Sequence, residues 1–449
     1  MIRALILLFS ACWAFLLLLP RARNHKFKEI FHVPRLAPIA VVIIVASLFT
    51  LVFLYNYVPQ AGDAAYYFGA SNRFFDSGHI PRDGHELSLG FVSLVRVVTE
   101  RALGLQLSSS IIAITFALML FNGIAVYRFT LAGTGNRSLS VLAMGIAPFS
   151  LFTFWFQFNA AYAQFLALSL FLLGISFYFQ RALSWKPAVF FALGTLAHVW
   201  SGVVFALAFG VFLLLAKILR YEEFPHLASR AFKALAVSLS GILLIALTLR
   251  YWRLFIVEFN PLQSNPLFFV GLWESPFIAL LAFIGLAVAV TRKTPFCLFL
   301  FSMALVTSVA LFLYDTTGVA RVMFMFPIPV LAALGIHRVW GVIRNRGARL
   351  MTVGGLLVAV ALTGTYANIQ YVDAQQLNVS RTQNRQTIDA IQAITETHGY
   401  GNHDIIIVIE DRDYSLLIWT EALTGARVVT EYDPSKDSPK EVVYLQSEH

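Results

Sequence analysis

The chain has 449 residues, of which 58% are hydrophobic and only 13% are charged, and its mean hydropathy is +0.73. A soluble protein of this length could not bury that much apolar surface, so the composition excludes a soluble globular protein. Apolar windows of about 18–20 residues recur along the chain, and this is the length that an α-helix needs to cross a bilayer. We therefore expect an all-α polytopic membrane protein.

The hydropathy pattern predicts about twelve transmembrane helices. They are expected near residues 3–19, 36–57, 109–131, 139–156, 160–180, 187–199, 202–217, 232–250, 277–291, 295–313, 322–340 and 350–367. The sixth and seventh adjoin at residues 197–200, where the sequence allows either a tight hairpin or one long bent helix. The first segment has no small-residue cleavage site after it, so we interpret it as a span rather than a signal peptide.

The net charge of +9 follows from membrane topology and does not indicate a nucleic-acid partner. Lys and Arg concentrate in alternate loops, and the rule that basic residues stay in the cytoplasm places those loops inside. The outer face then holds the loops 58–108, 251–276 and 314–321. We expect a multi-pass protein of the cell membrane, with an extracytoplasmic N-terminus and C-terminal tail. Cys12 and Cys297 both fall inside predicted spans, so no disulfide is expected.

The chain divides into a predicted membrane domain, residues 1–367, and a polar, acidic tail, residues 368–449. The tail contains an amphipathic stretch that Gly399 should end as a helix. Two later stretches, around 404–410 and 426–433, have the β-branched character of short strands. We expect a small C-terminal extracytoplasmic α/β domain.

The outer loop 58–108 begins with GDAAYYFGASNRFFDSGHIP at residues 62–81. Asp63 is a favourable N-cap for a helix over 64–77, and Gly78 is a favourable stop before Pro81. The aromatic residues of this helix predict that it lies flat at the membrane interface, with its rings in the headgroup zone.

A carboxylate at the membrane surface beside tyrosines and arginines suits one reaction. It can take a proton from an acceptor group that attacks the anomeric carbon of a sugar, while a lipid phosphate leaves. Asp63 is the candidate catalytic base. The competing interpretation gives Asp63 only a helix-capping role, and the two roles are compatible.

The leaving phosphate needs cations, and a guanidinium binds phosphate oxygens in a bidentate manner. The cations expected on the outer side are Arg73, Arg82, His85, Arg96, Arg250, Arg253 and Arg321. The candidate substrate-binding residues are Tyr66, Tyr67, Arg73, His85, Glu86, His198, Arg253 and Arg321. Most have a simpler explanation: interface aromatics for the tyrosines, snorkelling for Arg321, a solvated loop for 83–86, and for His198 a neutral ring bonded to a carbonyl across the hairpin.

We propose no metal ligands, because the spacing of Asp83, His85 and Glu86 lacks the helical geometry of a zinc site. A divalent cation is compatible with the sequence but not required by it. No cofactor is implied.

The stretch at 62–81, together with AHVW at 197–200 and RVMFMFPIP at 321–329, resembles the GT-C superfamily of membrane glycosyltransferases. The resemblance implies many spans, an outward-facing site and a polyprenyl-phosphate-linked sugar donor, with the family's loop acid matching Asp63. The chain lacks the WWDYG signature of oligosaccharyltransferases, and it has Gly62-Asp63 where protein O-mannosyltransferases carry an Asp-Glu pair. A glycan or lipid-linked acceptor is therefore the expected partner, alongside membrane lipids.

This interpretation predicts an inverting glycosyltransferase with Asp63 as general base. Two other classes stay open from the sequence: a transporter or flippase for lipid-linked sugars, and a non-catalytic membrane scaffold that uses the acidic tail. Transporters often contain internal repeats, and we find none here.

Overall fold

The computed structural model describes most of the chain. The described residues are 27, 33–34, 37–54, 61–78, 86–150, 153–154, 161–180, 185–221, 224–248, 275–292, 294–308, 325–378, 385–402, 404–409, 414–430 and 441–445. The first predicted span, at 3–19, lies outside them.

The described elements are almost all helical, with three short strands near the C-terminus. In chain order they are α1 (Ala37–Leu54), α2 (Ala61–Ser77), α3 (Glu86–Arg96), a π-helical segment (Val97–Ala102), α4 (Leu107–Thr134), α5 (Arg137–Ile146), α6 (Tyr162–Phe179), α7 (Trp185–Ala197), α8 (Val199–Ile218), α9 (Phe224–Thr248), α10 (Pro276–Thr291), α11 (Pro295–Ser308), α12 (Ile328–Val342), α13 (Arg346–Asn378), α14 (Arg385–His398), β1 (Ile405–Ile409), α15 (Tyr414–Thr424), β2 (Arg427–Val429) and β3 (Glu441–Leu445). This order agrees with the expected helical membrane protein.

Four of the described helices are long and apolar enough to cross a membrane, judged by length and composition: α4, α6, α8 and the first 25 residues of α13. Shorter apolar helices occupy five further predicted spans within the described residues: α1, α5, α10, α11 and α12. The structure therefore supports a multi-pass helical protein, and the count of twelve spans stays a prediction.

The chain forms two compact units, each made of separated stretches. The helical unit comprises residues 1–45, 121–154 and 167–368, and the mixed unit comprises residues 46–120, 155–166 and 369–449. All of the predicted tail except its first residue, that is 369–449, thus belongs to the same unit as residues 58–108, the outer loop that carries Asp63. The division at residue 367 remains a prediction about domains.

In the helical unit, α7 and α8 form a tight hairpin, which decides between the two alternatives for residues 197–200. Only His198 separates the helices, and its backbone is extended (φ −157°, ψ 105°). The rings of Phe191 and Phe205, each seven residues from His198, lie 5.3 Å apart between centroids. Gly202 lies against Thr195, where a methyl group would be crowded. The two helices therefore fold back on each other.

Glycines and phenylalanines pack the rest of this unit. A methyl group at Gly285 would overlap the carbonyl oxygen of Leu331, and one at Gly335 would overlap that of Leu281, so the backbones of α10 and α12 touch. Elsewhere the interior is a cluster of phenylalanine rings with centroids 5–6 Å apart, formed by Phe129, Phe179, Phe205, Phe209, Phe212, Phe296 and Phe299. Small residues at helix contacts are typical of packing in lipid, where apolar burial gives little preference for a protein neighbour.

In the mixed unit, α2 begins at Ala61, so Asp63 is its third residue. The prediction that Asp63 is the N-cap is therefore wrong, because the helix starts three residues earlier than the predicted start at residue 64. The helix stops at Gly78 as predicted, with φ +70° and its amide bonded to the Phe74 carbonyl oxygen at 2.8 Å.

The expectation that the α2 aromatics lie in the headgroup zone is also wrong for two of the rings, those of Tyr67 and Phe68. Phe68 is fully buried and its ring lies 6.1 Å from that of Trp419 on α15. Tyr67 is only 4% exposed. The rings pack against protein because α15 covers this face of α2, a long-range contact that the local pattern could not reveal.

The tail contains a three-stranded parallel sheet in the order β2-β1-β3. The central strand β1 is buried along its whole length, and Ile406 pairs with Arg427 on one side and Val442 on the other. The predicted helix ending at Gly399 and the two predicted strands are confirmed as α14, β1 and β2. The sequence interpretation did not identify β3.

Candidate functional site

The candidate catalytic residue, Asp63, lies in the first turn of α2. The structure describes the backbone of residues 61–64 but not their side chains. The amino end of a helix carries a partial positive charge, which favours the ionised form of a carboxylate.

One turn further along α2, Tyr66 and Tyr67 join a cluster of tyrosines. Their rings lie 5.5 Å apart, and the ring of Tyr67 lies 5.6 Å from that of Tyr162 at the start of α6. Tyr162 is 1% exposed, and its hydroxyl lies beside Thr115, whose own hydroxyl donates to the Ile111 carbonyl oxygen at 3.1 Å. The structure thus brings two predicted site residues together with polar groups from α4 and α6.

The sequence interpretation missed Tyr162 as a neighbour of the site. A signal was present, because Tyr162 and Gln164 are polar side chains at the start of an otherwise apolar span, and both are buried. Nothing local links this span to α2, so only the tertiary structure identifies the contact.

Arg96, which the sequence offered as an outer cation for phosphate, is instead a structural residue. It is fully buried, and Nε and Nη2 donate to the two carboxylate oxygens of Glu100 at 2.7 and 2.8 Å. Its Nη1 donates to the Phe68 carbonyl oxygen at 3.0 Å and to Asn72 Oδ1 at 2.9 Å. Because four donor contacts are already made within the protein, this guanidinium is not available to a ligand. Its role is to join α3 and the π-helical segment to α2.

Asn72 extends this network to the tail. Its Nδ2 donates to the Leu423 carbonyl oxygen at 2.7 Å and to Gln392 Oε1 at 3.3 Å. Three residues earlier on α2, a methyl group at Gly69 would overlap the Ala422 carbonyl oxygen, so the α2 and α15 backbones are in contact. The helix that carries Asp63 is therefore held by segments more than 300 residues later in the chain.

A second contact ties the tail to the start of α4. Asp389 on α14 accepts hydrogen bonds from the Ser108 backbone amide at 2.9 Å and from the Ser108 hydroxyl at 2.8 Å. A carboxylate at the amino end of a helix accepts hydrogen bonds from the free amides and interacts favourably with the helix dipole. Asp389, from a distant segment, therefore caps α4. The tail thus orders two helices of its unit.

The remaining predicted site residues are spread along the chain. Arg73 is exposed and acts electrostatically on Tyr400. The pKa of Tyr400 is raised, mainly by burial; Arg73 opposes this shift, whereas Asp76 and Glu421 add to it. Glu86 is the first residue of α3, and its side chain is not described. His85, Arg253 and Arg321 lie outside the described residues.

His198 caps α8. Its Nδ1 accepts a hydrogen bond from the Ser201 backbone amide at 3.1 Å and lies 2.7 Å from the Ser201 hydroxyl. An Nδ1 that accepts from an amide places the ring proton of a neutral histidine on Nε2. The described Nδ1 contact is thus a helix cap within α8, and it is not the expected bond to a carbonyl across the hairpin.

Within the part of the chain that the structure describes, no group of three or more His, Cys, Asp or Glu residues could hold a metal ion. The described side chains around α2 offer a buried aromatic and polar setting instead.

Comparison with solved structures identifies the fold. The chain superposes on ArnT from Cupriavidus metallidurans bound to undecaprenyl phosphate with a TM-score of 0.58 and 13% identity, over 92% of this chain and 90% of ArnT. The apo state of ArnT gives 0.56 and 13% identity, over 85% of this chain and 84% of ArnT. The mycobacterial arabinofuranosyltransferase AftD gives 0.54 and 14% identity over 90% of this chain but only 32% of AftD.

The chain therefore has the fold of the GT-C membrane glycosyltransferases, as the resemblance of its first outer loop predicted. No protein-family model matches the chain, and no curated protein sequence matches it. At 13–14% identity the structural likeness establishes the fold.

Proposed function

We propose that this protein is a membrane glycosyltransferase that moves a sugar from a polyprenyl-phosphate donor to a glycan or lipid-linked acceptor at the outer membrane face. The observation that carries the proposal is the fold match over 92% of the chain to ArnT, whose structure contains undecaprenyl phosphate. AftD, named as an arabinofuranosyltransferase, adds a second neighbour that transfers a sugar.

The proposed chemistry is a single displacement. An acceptor oxygen or nitrogen bonds to the anomeric carbon as the bond between that carbon and the phosphate oxygen breaks. The acceptor's proton passes to Asp63, and the polyprenyl phosphate leaves with the bonding electron pair. One displacement at the anomeric carbon inverts its configuration. Asp63 is proposed for this role because it is the acid that matches the loop acid of the GT-C resemblance, and it lies in the first turn of α2.

The leaving phosphate requires positive charge. Arg253 and Arg321 are our candidates for it, with His198 contributing through Nε2, since Nδ1 is occupied by the helix cap. Arg73, exposed near the end of α2, together with His85 and Glu86, is proposed to meet the acceptor. Tyr66 and Tyr67 are proposed to line its path, because they are the described polar aromatics nearest Asp63 in the chain.

The test is product formation by the purified full-length protein from a radiolabelled undecaprenyl-phosphate sugar and a membrane-glycan acceptor. The proposal predicts release of undecaprenyl phosphate in step with a labelled glycan, and NMR of the product should give the anomer opposite to that of the donor. Movement of the intact donor between leaflets without cleavage would contradict the proposal and favour a flippase. A product with the donor's configuration would contradict the single displacement while keeping the transferase.

A further inference from the structure

A group of basic side chains in the helical unit has no part in the proposed transfer. It lies where α10 and α12 end. The Phe27 ring joins the two ends, because its centroid lies 4.0 Å from the Arg292 guanidinium carbon and 5.4 Å from the centroid of the His337 ring. This ring contact therefore places the carboxyl ends of α10 and α12 near each other.

The charge at this end is one-sided. Arg292 directly follows α10, Arg338 lies near the end of α12, and three more arginines follow α12 within the next eleven residues. No aspartate or glutamate occurs among the described residues of the helical unit. Helix carboxyl ends attract cations, which accounts for a single arginine at each end. That effect does not account for two guanidinium groups that are partly withdrawn from water and close to each other.

Arg338 supplies the second observation. Its Nε is buried and has no hydrogen-bond partner within the described part of the chain. Burial lowers the pKa of Arg292, and the charge of Arg338 lowers it further, although Cys297 opposes the shift. A buried charged donor without an acceptor is costly, and two like charges nearby add to the cost. An anion between them would relieve both effects.

The surroundings indicate what carries that anion. Val290 and Val342, at the ends of the same two helices, are 53% and 62% exposed, and Met351 at the start of α13 is 81% exposed. Exposed apolar side chains next to a basic group match a lipid, whose chains cover the former while its headgroup meets the latter. The half-buried Trp340, 5.8 Å from the Arg349 guanidinium, is a residue type enriched at the membrane–water interface.

We propose that Arg292 and Arg338 bind the phosphate of an anionic glycerophospholipid at the carboxyl ends of α10 and α12. This phosphate site is separate from the sugar transfer proposed above, and it does not depend on that transfer. A guanidinium pair can hold phosphate oxygens in a bidentate manner, and the phosphate would supply the acceptor that Arg338 Nε lacks.

The test is native mass spectrometry of the detergent-purified full-length protein titrated with dioleoylphosphatidylglycerol or dioleoylphosphatidylcholine. We expect preferential retention of phosphatidylglycerol. Arg338→Gln and Arg292→Gln should each weaken it about tenfold, the loss of one charge-assisted contact. The matched control is Lys217→Gln, which removes an exposed charge from the last turn of α8 and should change the affinity less than twofold.

Several results would overturn the proposal. Equal retention of the two lipids would show that the protein does not recognise the headgroup charge. Unchanged affinity in both arginine variants would show that Arg292 and Arg338 do not form the site. Loss of the bound lipid in millimolar inorganic phosphate, with phosphate ion retained in its place, would assign the site to a free anion. Thermal unfolding checks each variant, and Arg292→Gln alone decides the question if Arg338→Gln does not fold, because Arg292 lies outside the helices.

Discussion

The two units of this chain are held together by different physical interactions. In the helical unit the described contacts are backbone against backbone at glycines and ring against ring among phenylalanines, and the described charged residues are all Arg or Lys. In the mixed unit a buried guanidinium, a carboxylate and an asparagine amide form a continuous network from α3 through α2 to α15. Shape thus specifies the first unit, and hydrogen-bond pairing specifies the second.

The difference agrees with the physical chemistry of the two kinds of contact. Helices in lipid gain little by burying apolar groups, so close approach through small residues decides their packing. A buried charge is stable only when its donors have acceptors, as those of Arg96 do in the mixed unit, and such a network fixes one arrangement. We therefore expect the helical unit to tolerate loss of charge but not added volume, and the mixed unit to lose stability when its buried charge is removed.

The largest expected effect on stability is in the helical unit. Gly285→Ala places a methyl group on the Leu331 carbonyl oxygen, and the backbones of α10 and α12 must separate to accept it. We expect a loss of several kcal/mol, because overpacking against backbone cannot be relieved by a rotamer change. Gly354→Ala on α13 is the control, since nothing lies within 4 Å of its added methyl group. Equal unfolding temperatures for the two variants would contradict the claim that close backbone contact at Gly285 determines the packing of this unit.

The next effect is in the mixed unit. Arg96→Gln leaves Glu100 without its partner and removes donors from Asn72 and the Phe68 carbonyl oxygen. Breaking a buried ion pair by removing one partner should cost about 3 kcal/mol. The control Arg101→Gln removes an exposed guanidinium over the Phe75 ring and should be nearly neutral. Chemical denaturation would measure both, and a neutral Arg96→Gln variant would mean that the network does not specify this unit.

The smallest effect tests His198. His198→Ala removes the cap of α8 and should cost about 1 kcal/mol, whereas His198→Asn can restore an acceptor for the Ser201 amide. If Nε2 also contacts the donor phosphate, both variants should bind undecaprenyl phosphate more weakly, although only the first is destabilised. Unchanged lipid binding in both would limit His198 to its capping role.

Much of the fold could be predicted from local pattern. Apolar windows indicated the long helices, and Gly78 and Gly399 marked helix ends because both adopt positive φ. The strand β1 was recognisable because it is five consecutive β-branched residues. These signals are local, so they survive in a single sequence.

The candidate site could be predicted only in part. The sequence indicated Asp63, Tyr66 and Tyr67, but it assigned Arg96 to the surface, where the structure buries it completely. The contact between Asn72 and the Leu423 carbonyl oxygen joins residues 351 positions apart. Local periodicity in a sequence does not indicate such a distant partner. For the same reason the sequence did not identify Tyr162 as a neighbour of the site or β3 as a strand.

The most direct test of the central claim is the rate of sugar transfer by Asp63→Asn, measured beside Asp76→Asn from the other end of α2. Removing a general base should slow transfer by about 10²–10⁴-fold. Asp76 is exposed at the far end of the helix, so its variant should keep nearly full activity. Both variants should still bind undecaprenyl phosphate. Transfer by Asp63→Asn at the unsubstituted rate would contradict the proposed mechanism.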